Sequence, residues 1–98
     1  MSGLVPWLNQ AVLVRSRDSG VWVGTLEAWE GSSVRLSEAR RIWSWRSGAG
    51  ECSQIAAGGV TKGKIGPPGP VLVLGCCELH PMQPAAVEAV GRVEVWRG

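Results

Sequence analysis

The chain reads as a small α+β domain: a mostly antiparallel sheet of about five or six strands carrying two short helices. Three features of the sequence point there. Apolar runs of strand length alternate with turn residues through the first 45 positions. Glycine and proline then break the pattern twice, at "RSGAG" (46–50) and "VTKGKIGPPGP" (60–70). Only residues 51–57 and "PAAVEAV" (84–90) suit a short helix, and glycine follows each. With 98 residues, the chain is one domain, 1–98, without a repeat or a linker.

Taken in order, Pro6 and Trp7 belong to an opening segment, and "AVLVRS" (11–16) is the first strand. "RDSG" (17–20) supplies a turn, so the alternating "VWVGTLEAW" (21–29) completes a hairpin. After "EGSS" (30–33), "VRLSEARRIWSW" (34–45) continues either as one long strand or as two strands broken near Ser37 and Glu38. The first 45 residues are thus an antiparallel meander. Residues 60–70 read as a mobile loop, and "VLVLGCCELH" (71–80), nearly all apolar at its start, reads as the central strand. Pro84 fits the first turn of a helix, and "RVEVW" (92–96) closes the sheet.

Composition narrows the function classes. Charged residues make up 18% of the chain against 45% hydrophobic, too little charge to coat an isolated small globule, so a homo-oligomer is expected. The net charge of +2 is too mild for a duplex nucleic-acid partner but compatible with a small anion. No apolar run approaches the roughly 20 residues that cross a bilayer, so no membrane partner is expected. Three cysteines, an odd number, and an opening without a basic start or a small-residue cleavage site argue for the reducing cytoplasm.

Six tryptophans stand beside no tyrosine and no phenylalanine. Two of them, with three arginines, crowd into residues 39–46. On a strand, Arg41, Trp43 and Trp45 share one face, and Arg40, Ile42, Ser44 and Arg46 the other. Two readings follow. In the first the indoles are core and the arginine stems lie over it. In the second an indole stacks on a planar base while Arg40, Arg41 or Arg46 forks onto phosphate. The helix expected after residue 50 brings backbone N–H groups near Gly48 and Ser53, either as a place for an anion or as a plain turn. Lys62 and Lys64 either close over that anion or keep an exposed loop solvated.

Other chemistry finds little footing. General acid–base work needs a positioned base, and the chain has one histidine, His80, and one aspartate, Asp18, in a turn. "CCELH" (76–80) offers Cys76, Cys77 and His80, but adjacent strand residues point to opposite faces and zinc sites usually space their cysteines, so no metal is expected. Neither a P-loop nor a dinucleotide-binding glycine pattern occurs, and no cofactor is expected.

At "ARRIWSWRSGAGECSQIAAGGV" (39–60) the sequence resembles a family of small uncharacterised phage and prophage proteins. Their pattern is a strand Ala-Arg-Arg-Ile/Leu-Trp-x-Trp, a Gly/Ala turn, a short Ser-Gln-containing helix and Gly-Val. "VGTLEAWEG" (23–31) and the valine-rich end at Trp96 extend the likeness over residues 12–96. Ser44 stands where relatives often carry an aromatic, and "KIGPPGP" departs as well. The resemblance implies a phage origin and an αβ fold, and it brings no established activity. The expectation is a non-enzymatic homo-oligomer that sequesters a small anionic, nucleotide-like ligand, such as an immune signal of the host. The alternatives are a module that inhibits a host defence protein, or a structural phage protein.

Overall fold

The first hairpin joins β1 (Ala11–Ser16) to β2 (Gly20–Glu30), registered from Ala11 opposite Thr25 to Ser16 opposite Gly20. This computed structural model describes residues 5–17, 19–46, 52–59 and 62–96. A single 3-10 turn, Val5–Trp7, precedes β1. A two-residue turn with Gly31 at φ 58° leads from β2 into β3 (Ser33–Arg46). Such tight hairpin turns demand positive φ, which glycine supplies without steric cost.

β3, at 14 residues, is long enough to pair β2 along one edge and two shorter strands along the other. Its C-terminal half pairs β4 (Lys62–Ile65) and its N-terminal half pairs β5 (Gly69–Val73). β6 (Cys76–Pro81) lies at the far side, beside β1. The order is β4-β3-β2-β1-β6, with β5 also on β3, giving six strands whose pairings are all antiparallel. Helices α1 (Cys52–Gly58) and α2 (Pro84–Gly91) complete the α+β architecture.

Val73 and Cys76 are three positions apart in the chain yet belong to strands at opposite edges, which requires the sheet to bend until those edges approach. Gly75, at φ 67°, makes the turn. The junction is held by Ser16 Oγ donating to Leu74 O at 2.6 Å and by Cys76 N–H donating to Ser32 O at 2.8 Å.

Bending creates two cores. Inside lie Val12, Val14, Leu26, Val34, Leu36, Ala39 and Val73, with Trp22 and Trp29 packed against them. Outside, Leu13, Val21, Val23, Ile42 and Ile65 meet Ile55 and Ala56 of α1, Val90 of α2, and Val93. β1 therefore buries both faces, which is why Val12, Leu13 and Val14 are all fully buried.

The structure corrects several expectations. Residues 71–80 do not form one central strand: Gly75 divides them, and the halves sit at opposite edges. The expected loop 60–70 contains β4, whose pairing with β3 stops before Pro67 and Pro68. The closing strand 92–96 shrinks to a single parallel bridge, Val95 to Ile65. Residues 33–46 are one strand, bulged where the sequence hinted at a break. Ser37 pairs Thr25 and Arg40 pairs Val23, so Glu38 and Ala39 together face Gly24. Glu38 takes φ 52°, and a Cβ on Gly24 would stand 3.0 Å from the Ala39 Cα.

Candidate functional site

That bulge sets the polarity of the arginine-tryptophan stretch. Before it, even-numbered Val34 and Leu36 enter the inner core; after it, odd-numbered Ala39 does. The extra residue shifts the alternation by one. Arg40 and Ile42 consequently turn to the helices, and Arg41 and Trp43 to the other side.

On that side Arg41 is registered opposite Trp22 of β2. Its guanidinium carbon lies 3.7 Å from the centre of the Trp43 ring and 5.8 Å from that of Trp22. Trp22 is anchored by its indole N–H, which donates to Ser19 O at 2.9 Å. Gly20 leaves room for the guanidinium, because a Cβ there would stand 3.2 Å from an Arg41 terminal nitrogen. Trp43 meets Trp96 edge to face, with centroids 5.6 Å apart and planes at 62°. Trp96 is fixed by its backbone N–H to Ile65 O at 2.8 Å. Lys64 of β4 completes the row, its ammonium 5.3 Å from the Trp96 ring centre.

Aromatic and cationic groups thus follow one another along one surface as Trp22, Arg41, Trp43, Trp96 and Lys64. Trp43 is 50% exposed, an unusual state for a large apolar ring. Neither Arg41 nor Lys64 is paired with a carboxylate among the described residues. The surface can stack a planar group and meet negative charge at Arg41 and at Lys64.

Arg40 does not join this row. Its guanidinium donates to Gly66 O (2.7 Å), Val90 O (2.9 Å), Val93 O (3.1 Å) and Ile65 O (3.5 Å). Those carbonyls belong to the end of α2 and the turn after it, and to the end of β4 and the residue after it, so Arg40 ties the helix terminus to the sheet and meets the negative end of the helix dipole. Burial pushes its pKa below the usual arginine value. Lys64 and the backbone of Lys62 sit on a paired strand, not on a free lid. Trp45 and Arg46 continue β3, their backbones opposite Gly63 and Lys62. Ser53 lies in α1, and Gly48 lies outside the described residues.

Trp22 and Trp96 are the members that sequence reasoning missed. Trp22 carries a readable signal, since it alternates with Val21 and Val23, but placing it against Arg41 requires the hairpin register. Trp96 arrives through a long return of the chain that no local pattern announces.

A second polar group lies on β1 and β6. The Glu78 carboxylate is 2.8 Å from His80 Nε2 and 3.4 Å from Arg15 Nη1. The hydrogen bond from His80, then that from Arg15, holds its pKa below the usual carboxylate value. Burial pushes the Cys76 thiol up, away from the thiolate that nucleophilic chemistry uses.

The fold and this surface define a small bent-sheet domain that presents a partly exposed aromatic and cationic row. The chain belongs to the DUF6948 family, a domain of unknown function, whose model matches residues 9–90. That span holds Trp22, Arg41, Trp43 and Lys64, whereas Trp96 follows it. No curated protein and no solved structure is significantly similar to the chain.

Proposed function

We propose that the chain is a non-enzymatic, homo-oligomeric binding protein that sequesters a small anionic, nucleotide-like ligand on the row from Trp22 to Lys64. One observation carries the reading: Trp43 is half exposed while the Arg41 guanidinium lies over its ring without a carboxylate partner among the described residues. A base on an exposed indole gains about 1–3 kcal/mol, and a guanidinium already held over the ring has its N–H donors for phosphate oxygens. Combined with the likeness of residues 39–60 to phage proteins, this extends to a cytoplasmic anti-defence sponge that removes an immune signalling nucleotide.

The test is capture. Purified protein is incubated with cyclic di- and trinucleotides and ADP-ribose derivatives, recovered, denatured and examined by mass spectrometry. Intact nucleotide is the expected result. Altered nucleotide would make the protein an enzyme, and no capture across the panel would overturn the reading.

A further inference from the structure

The helices cover only part of the outer face, and the uncovered part carries a separate feature. Ala28, Trp29, Glu30, Ser33, Arg35 and Leu72 line a hollow of about 480 Å³. Ala28 is opposite Arg35, Glu30 opposite Ser33, and Arg35 opposite Leu72, so β2, β3 and β5 build one continuous patch. Leu72 is 59% exposed and Leu74, two positions on, 57%. β5 is paired with β3 along one side only, and Pro70, which lacks an N–H, suits such an edge.

The charges of the patch are incomplete. Glu30 and Arg35 lie on the same face, one register step apart on a diagonal, and neither has an ion-pair or hydrogen-bond partner among the described residues. Opposite charges beside exposed apolar side chains match an interface that pairs charge while it buries apolar surface.

We infer that this patch docks against the same patch of a second copy of the chain. The charge layout selects that occupant. A two-fold axis passing between Glu30 and Arg35 sets each Arg35 against the partner's Glu30, so one contact, made twice, neutralises all four groups. Leu72 and Leu74 supply apolar surface along the β5 side, and the chain's 18% charge content leaves little else to keep such a face in water. The inference names the surface for the self-assembly proposed above and is independent of the ligand.

Light scattering and sedimentation on the full chain test it. The wild type is expected to assemble at micromolar concentration and Leu72→Glu to be monomeric with an unchanged circular dichroism spectrum. Leu72→Gln repeats the measurement with an uncharged side chain. Arg35→Glu and Glu30→Arg are each expected to weaken assembly about tenfold or more, and the double swap to restore it. Assembly untouched by all these changes would move the interface elsewhere and leave self-assembly standing. A double swap no better than the single ones would overturn the two-fold pairing. A wild-type monomer up to about 100 µM would overturn both this surface and the assembly itself.

Discussion

Arg41 and Trp43 are two positions apart on β3 and stack on one another at 3.7 Å, so the cation and the ring that the sequence sets side by side act as one surface unit. Replacing Arg41 by Ala is expected to abolish nucleotide capture while lowering stability by no more than about 1 kcal/mol, the scale of an exposed cation–aromatic pair. Arg41→Lys keeps the charge and loses the planar fork, so it should capture weakly. Capture and thermal unfolding of both variants, measured together, check this. A large loss of stability would assign Arg41 to the scaffold.

Arg40 should behave in the opposite way. Arg40→Ala strands four carbonyls that its guanidinium now engages, and the cost is expected to be about 2–4 kcal/mol in urea unfolding. Arg40→Lys cannot reach four acceptors at once and should recover less than half of that loss. Capture by the folded fraction should be unchanged.

Much of the architecture was legible because local patterns agree with it. The hairpin at Arg17 to Gly20, the two helices and the division of residues 40–43 between two faces all follow from alternation and turn residues. What was not legible depends on pairing across the chain. "VLVLGCCELH" is apolar enough for a central strand, and only the positive φ of Gly75 shows that it turns there and splits. Arg40 and Arg41 look equivalent in sequence, and only the packing of α2 separates a helix tie from a surface cation.

Gly59 tests the contact between the helices. It has φ 75°, and an added Cβ would lie 2.8 Å from the Ala89 Cβ and 2.9 Å from Ala86 O. Gly59→Ala is therefore expected to destabilise by more than about 1 kcal/mol, through both strain and the separation of α1 from α2. Gly31, whose Cβ would meet nothing, shares the positive φ without the crowding. Gly31→Ala should cost less in the same unfolding assay.

Glu78 predicts a small acid sensitivity. Its folded pKa is depressed, chiefly by the His80 hydrogen bond, so its contribution is fully present above the unfolded carboxylate value. As pH falls through the lower, folded value that contribution is lost. Because the side chain is 39% exposed, solvent screening keeps the effect below about 1 kcal/mol. Between about pH 5 and pH 3 the wild type should lose more stability than Glu78→Gln. Parallel acid dependence of the two unfolding curves would refute the assignment.

The jump of the chain at Gly75 also fixes a sequence of events during synthesis. Arg15 meets Glu78, 63 positions later, so β1 waits for its neighbour until those intervening residues have been translated. Throughout that interval the first hairpin carries an unsatisfied flank that could template the wrong pairing. Growth of the nascent chain should therefore give a single late gain in protease resistance, as β6 emerges, rather than one gain for each hairpin.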